Sequence, residues 1–211
     1  MNIKLISALA ATGLLVAAPA FSAPVTIDFE GVSSQTWIDG YYNGGTDGAG
    51  NSGPNYGISF QLGAFGLQND PEWGDLFANA PSGSTVMTAV DSEAALNVAS
   101  GFAGQASFSY SSSENTSVSI YSGLNGTGSL LGTFELLANT SGCTEVALCY
   151  WDLVTFNFAG LAQSIQFGNT AGFAVFDDIT ITPVPLPAAG WLLLSALGGI
   201  GALARRKRAA A

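Results

Sequence analysis

The chain has 211 residues, and 15 acidic residues against 5 basic ones give it a formal net charge of −10 at pH 7. All of the acids lie between Asp28 and Asp178, and this stretch contains no Lys, Arg or His, so its side chains carry a charge of −15. A body without cations cannot neutralise phosphate, which excludes nucleic-acid binding, and it lacks the groups for Ser-His-Asp, Cys-His or Schiff-base catalysis.

The N-terminus has the pattern of a secretory signal peptide. Lys4 supplies a positive charge, residues 5–18 are apolar, and small residues follow. This pattern predicts a signal peptide over residues 1–23, which signal peptidase removes between Ala20 and Pro24. The remaining body, residues 24–182, has the length of one ordinary domain.

Alternating apolar and polar residues dominate this body, and no part of it shows a long run at helical spacing. The first run places Val25, Ile27 and Phe29 on one face. The predicted strands cover residues 25–30, 58–65, 85–90, 94–99, 105–111, 116–122, 129–137, 150–158, 163–168 and 173–182. We expect 85–90 to pair with 94–99. Short strands joined by glycine-rich turns predict an all-β, antiparallel β-sandwich, and a jelly roll is the specific expectation.

Two polar, glycine-rich loops interrupt the strands at residues 31–57 and 66–84. They carry four aromatic side chains: Trp37, Tyr41, Tyr42 and Trp73. Exposed rings on such loops could stack on the C–H face of a sugar and form a shallow glycan-binding site. The alternative is that the rings fold back and cover the ends of the sandwich, and the favourable burial of large aromatics supports this second interpretation.

The acids Asp70, Glu72 and Asp75 of the second loop are the candidates for hydrolytic chemistry. A pair of carboxylates can hydrolyse a glycoside without histidine, but only at a defined separation. Nothing in the spacing of these three residues fixes such a separation. We therefore expect that the protein is not an enzyme.

Cys143 and Cys149 are the only cysteines of the chain. In an exported protein they are expected to form a disulfide that closes a small loop. A metal or redox site would need more ligands or a closer spacing of the two thiols.

The last predicted strand contains two adjacent acids, Asp177 and Asp178. Strict alternation places Asp177 on the same face as Val175 and Ile179, so one carboxylate must point towards an apolar face unless the strand is bulged. A buried, unpaired carboxylate is costly, and this body has no side-chain cation to offer it. The remaining partners are backbone N–H groups, a proton on a carboxyl group of raised pKa, or a bound cation such as Ca²⁺.

The two ends of the body together resemble the structural calcium site of several jelly-roll carbohydrate-binding modules. The resemblance rests on Asp28-Phe29-Glu30-Gly31 at the start and Phe176-Asp177-Asp178-Ile179 at the end, with first and last strands as neighbours. It implies Glu30 and one of Asp177 or Asp178 as ligands of structural calcium, which would raise the melting temperature. The alternative places both aspartates at a sheet edge, hydrogen-bonded to loop amides.

The C-terminus, residues 183–211, combines three segments. Prolines at 183, 185 and 187 keep the backbone extended, and the uncharged run 188–204 would span about 25 Å as a helix. A basic stop follows: Arg205, Arg206, Lys207 and Arg208. This order predicts a transmembrane helix whose basic end stays cytoplasmic.

The motif Val184-Pro185-Leu186-Pro187-Ala188, with the apolar run and the Arg-rich tail, resembles the VPLPA variant of the PEP-CTERM sorting signal of Gram-negative bacteria. The resemblance implies cleavage near the motif by an exosortase, a membrane-embedded cysteine protease, and a link to exopolysaccharide and biofilm matrix. We expect an exported protein that passes through the inner membrane to the cell surface or extracellular matrix and binds exopolysaccharide without catalysis. The alternative is a purely structural acidic surface protein.

Overall fold

The structure is a computed structural model that describes residues 23–70 and 74–184, and all pairs of its named strands are antiparallel. The ten strands are β1 Val25–Ile27, β2 Thr36–Trp37, β3 Ile58–Phe60, β4 Ala64–Gln68, β5 Thr85–Ala89, β6 Ala95–Ser112, β7 Thr116–Tyr121, β8 Leu130–Leu136, β9 Asp152–Gln166 and β10 Ala174–Pro183. A short 3-10 helix covers Gly168–Thr170, and the described residues contain no α-helix. The predicted all-β antiparallel class is confirmed.

Two long strands, β6 and β9, bend and so connect the two halves of the sheet. β6 has 18 residues and β9 has 15, and their pairing shifts register between Asn97 and Phe102 and again between Ala103 and Gly104. Gly101 and Gly104 have φ of 81° and 84° at these shifts, a region that favours glycine. The sequence predicted two separate strands in place of each long one, because glycines at a bulge look like the glycines of a turn.

The sheet folds over at these bends and encloses one main core. The strand order is β2-β4-β5-β10-β6-β9-β7-β8, with β1 on β10 and β3 on β6. Phe134 of β8 stacks on Phe156 of β9 with ring centroids 4.0 Å apart, although β7 separates these strands in the order. The two rings can meet only because the β7–β8 hairpin lies over β9. The predicted pairing of 85–90 with 94–99 is wrong, because β5 pairs with β4 and β10.

β10 lies in the middle of the sheet and carries a bulge at Asp178. Val25 of β1 pairs with Ile181, so the first and last strands are neighbours as expected. Asp178 has φ of 51°, and pairing with β6 shifts register there. Phe176 lies in the main core and Asp177 alternates to the opposite face with Val175, and the extra residue returns Ile179 to the core face. The sequence analysis allowed for a bulge in this strand, and the structure contains one.

The face of β5 and β10 that points away from the main core is covered by two loop segments, residues 76–80 and 147–151. Phe77 and Leu148 pack there against Val86 and Val175 in a second, smaller cluster. The Leu148 N–H donates to the Leu76 carbonyl over 3.2 Å, and the Leu148 carbonyl accepts from the Ala78 N–H over 2.8 Å. The expected Cys143–Cys149 disulfide is formed beside this contact. We call these two segments the clasp.

Several predicted features lie outside the described residues: the signal peptide to residue 22, Glu72 and Trp73, and the sorting signal from Pro185 onward. Val184 is described, and its N–H donates to the Gly101 carbonyl over 2.8 Å. Within residues 23–70 and 74–184, no helix has both the length and the apolar character needed to cross a membrane.

Candidate functional site

A row of directly paired residues crosses four strands on the face opposite the main core. Trp37 of β2 pairs with Phe65 of β4, Phe65 with Thr88 of β5, and Thr88 with Val175 of β10. Direct cross-strand partners point to the same face of a sheet, so these side chains lie side by side. The Trp37 and Phe65 rings meet edge to face, with centroids 5.1 Å apart.

Beside the clasp this row opens into a groove of about 560 Å³, a volume typical of ligand sites. Its walls are mostly apolar, and three large side chains are well exposed along it: Leu76 at 42%, Val90 at 46% and Phe173 at 39%. Gln35, Thr88 and Ser113 supply an amide and two hydroxyls. Among the described residues, no charged side chain lines the groove.

The predicted aromatic residues fall into different environments. Tyr41 and Tyr42 are only 7% and 2% exposed and belong to the main core, where the Tyr42 ring lies 6.2 Å from Phe29 and Phe60. Their faces are therefore not available to a sugar, which corrects the glycan interpretation for these two residues. Trp37 is half-buried and lies next to the groove through Phe65. Trp73 lies outside the described residues.

Asp47 explains why this loop is packed rather than open. Its buried carboxylate accepts hydrogen bonds from the backbone N–H groups of Ser33, Ala49 and Asn51 over 2.9 to 3.0 Å. Burial alone would raise the pKa of Asp47, but these N–H donors outweigh it and lower the pKa. The loop thus folds around one ionised carboxylate and carries Tyr41 and Tyr42 into the core.

Sequence reasoning missed Phe65, Leu67, Thr88 and Phe173 as groove residues. Ala64 and Gly66 are buried towards the core, while Phe65 and Leu67 point the other way and are half-buried. A strand that is apolar on both faces needs a second contact surface, and this signal was present in the sequence. The register that aligns β2, β4, β5 and β10 could not be read from the sequence, because it depends on pairing between distant segments.

A second group of polar residues lies where β1 and β10 meet the start of β5. The fully buried Asp177 carboxylate accepts from the Ser82 N–H over 2.9 Å, the Ser82 hydroxyl over 2.8 Å and the Asp178 N–H over 2.8 Å. Oε1 of Glu30 accepts from the N–H groups of Ser84 and Thr85, each over 2.7 Å. Two carboxylates therefore hold the loop that leads into β5, and we call this group the acidic corner.

Burial raises the pKa of Asp177 to about 6, although its three hydrogen bonds act in the opposite direction. The pKa of Asp178 is also raised, first by burial and then by the negative charge of Asp28. The acidic corner therefore holds closely spaced acids without any cationic side chain. Hydrogen bonds to loop amides, which the sequence analysis gave as the alternative to calcium, offset part of the cost of burying these carboxylates.

The acidic corner does not form a ready-made metal cage. In the described part of the chain, no three Asp, Glu, His or Cys side chains are arranged to hold a metal ion. The carboxylates of Glu30 and Asp177 instead accept hydrogen bonds from backbone N–H groups. Calcium at Glu30, Asp177 or Asp178 stays a prediction from the sequence.

Comparison with protein-family models found no match, and comparison with curated proteins found none either. Comparison with solved structures found carbohydrate-binding modules. A family 6 module studied for its binding sub-sites is 17% identical over 75% of this chain and 93% of its own, with a TM-score of 0.37. A Clostridium stercorarium module solved with cellobiose is 12% identical, with the same coverages and TM-score. A Cellvibrio mixtus lichenase module solved with cellotriose is 16% identical over 59% of this chain and 90% of its own, with a TM-score of 0.34. TM-scores of this size leave the function to be argued from the residues of this chain.

Proposed function

We propose that this chain is an exported, non-catalytic module, jelly-roll-like in topology, that binds uncharged polysaccharide in the groove beside the clasp. One observation carries the proposal: the row Trp37–Phe65–Thr88–Val175 opens into a groove with apolar walls and a few amide and hydroxyl groups. Apolar and aromatic surfaces contact the C–H faces of sugar rings, while the polar groups bond their hydroxyls. This combination suits a sugar chain better than an ion.

The charge of the body selects among polysaccharides. A sugar chain bearing carboxylates or sulfates would approach a body of charge −15 with no cation to compensate it. The groove itself adds no charged side chain among the described residues. An uncharged exopolysaccharide avoids this repulsion and needs no charged partner in the groove, so we propose this class as the ligand.

The delivery of the module rests on the sequence of its termini. The signal-peptide pattern of residues 1–23 supports export, and the VPLPA motif, apolar run and basic stop of residues 183–211 support exosortase processing at the inner membrane. The mature protein would then reach the surface or matrix as a purely anionic domain. A mature C-terminus near Pro187 or Ala188, read by mass spectrometry of the native protein, is the expected product of this processing.

A titration with uncharged polysaccharides tests the groove. We expect the purified protein to bind at least one of them, and Phe173→Ala and Trp37→Ala each to weaken binding at least tenfold, because each removes ring surface at or beside the groove. Isothermal titration calorimetry, guided by a glycan array, gives the affinities.

Tyr56→Ala is the matched control, since Tyr56 is 43% exposed, does not line the groove and lies outside the clasp. Its affinity should equal that of the unmodified protein. Lack of binding to every uncharged polysaccharide would overturn the proposal and favour the purely structural surface protein. Equal losses for Tyr56→Ala and Phe173→Ala would show that the groove is not the site.

We also propose structural calcium at the acidic corner, supported by the proximity of Asp28 and Asp178 in a body without cations. Ca²⁺ prefers carboxylate and carbonyl oxygens, and neutralising these acids would stabilise the fold. We expect millimolar calcium to raise the melting temperature above that in chelator, and Asp178→Asn to reduce this rise. Glu114→Gln removes the same charge at an exposed site and should retain the rise. Equal melting temperatures with calcium and with chelator would contradict the calcium site and leave hydrogen bonds to stabilise these carboxylates.

A further inference from the structure

β9 has an unpaired edge along its first half. β6 pairs with β9 on one side from Asp152 onward, but β7 pairs with it on the other side only at Ser164–Gln166. β8 contributes the stacked Phe134 ring but no backbone pairing to β9. Among the described residues, the outer edge of Asp152–Phe158 therefore has no strand beside it.

The exposure of β9 agrees with an open edge. Leu153 is 70% exposed and Thr155 and Asn157 are exposed, while Val154 and Phe158 are only half-buried although they point inward. Phe108, which pairs with Val154 from the neighbouring β6, is fully buried, and Phe156, the inward residue between Val154 and Phe158, is covered by the Phe134 ring. An inward side chain stays partly open when no strand continues the sheet beside it.

The other edges of the sheet are protected in ways that β9 is not. β1, β2 and β3 each have one partner but extend over only 3, 2 and 3 residues. β8 is longer but carries the exposed Glu135. Proteins blunt edge strands by keeping them short or charged, because open N–H and C=O groups recruit another strand. From Leu153 to Phe158, β9 contains neither a charge nor a proline.

We propose that this edge binds the same edge of a second copy of the chain, antiparallel and around a two-fold axis at Thr155. Asp152 bounds the straight run at one end, and the irregular pairing near Gly104 follows Phe158 at the other, so full overlap centres on Thr155. Thr155 then faces Thr155, and Val154 faces Phe156. Both are cross-strand pairs that stabilise sheets.

Charge selects the antiparallel arrangement of the two copies. Asp152 is the only charged residue of the run, and antiparallel pairing places it opposite Phe158. Parallel pairing would place the two Asp152 carboxylates together, which is unfavourable. The bodies still repel each other, since each carries −15, so salt should strengthen the dimer by screening that repulsion. A two-fold contact closes on itself, which predicts dimers rather than filaments.

Sedimentation of the purified protein tests the edge. We expect a dimer whose share increases with salt, and loss of the dimer in Thr155→Lys, which puts two ammonium groups face to face at the axis. Ser129→Lys makes the same charge change at an exposed residue outside β9, whose carbonyl accepts from the Ser122 N–H, and should remain dimeric. A monomer for the unmodified protein at every salt concentration, or a dimer unaffected by Thr155→Lys, would overturn the proposal.

A cysteine variant gives a second readout that does not depend on a destabilising charge. The described part of the chain has no free cysteine, and cross-strand partners lie within disulfide distance. Thr155→Cys should therefore oxidise to a covalent dimer, seen on a non-reducing gel, while Ser129→Cys should stay monomeric on the same gel. Equal cross-linking of the two variants would contradict the proposed axis.

Discussion

Lowering the pH from about 7 to about 4 is expected to stabilise this protein. Burial raises the pKa of Asp177 to about 6, above its value in an unfolded chain near 4. Between these two values the unfolded state releases a proton that the folded state keeps, so stability falls as the pH rises through this window. Two pKa units correspond to about 3 kcal/mol of unfolding free energy.

The other acids of the body reinforce this trend or act outside the window. A body of charge −15 loses self-repulsion as its carboxylates gain protons, which also favours the folded state at lower pH. Asp47 acts in the opposite direction, because its lowered pKa gives stability that is present above pH 4 and lost as the pH falls through the folded pKa. We therefore expect a stability maximum near pH 4.

Urea unfolding in chelator at several pH values measures this effect. Asp177→Asn cannot ionise, so its stability should change much less between pH 4 and pH 7, whatever the cost of the altered hydrogen bonds to Ser82 and Asp178. Asp75→Asn removes an exposed acid and should keep the slope of the unmodified protein. Parallel pH profiles for Asp177→Asn and the unmodified protein would show that Asp177 is not the responsible group.

The fold class followed from local patterns that tertiary contacts did not override. Alternation placed Val118 and Ile120 on the buried face of β7, and both are fully buried. The long strands were harder to predict, since the glycines near residue 101 mark bulges within one continuous strand. Local sequence does not distinguish a bulge from a turn when both need positive φ.

The candidate sites were predicted less well, because they depend on which strands become neighbours. The sequence showed that Asp177 needed a partner, but Ser82 lies 95 positions away and reaches it only through the pairing of β5 with β10. Tyr41 and Tyr42 lie in a polar loop, yet the hydrogen bonds to Asp47 fold that loop onto the core. Composition identified a loop and could not indicate which of its aromatics were covered.

Phe108→Ala is expected to be the most damaging of these substitutions, with a loss of about 3–5 kcal/mol in unfolding free energy. The Phe108 ring is fully buried, and its centroid lies 5.3 Å from that of Phe176 on β10 and 5.5 Å from that of Phe156 on β9.

Phe108 on β6 therefore packs against both neighbouring strands, β9 and β10. Truncation of Phe108 to Ala leaves a cavity between these three strands, and their backbone pairing prevents them from moving to fill it. A domain with a total stability of about 5–15 kcal/mol would lose much of its margin. Phe173→Ala is the matched control, because Phe173 is 39% exposed in the groove and, among the described residues, its ring packs against no core ring. Urea unfolding should separate the two variants by several kcal/mol, and similar losses would contradict the placement of Phe108 in the core. The same pair of variants separates fold from function, since Phe173→Ala should weaken polysaccharide binding while it leaves the fold intact.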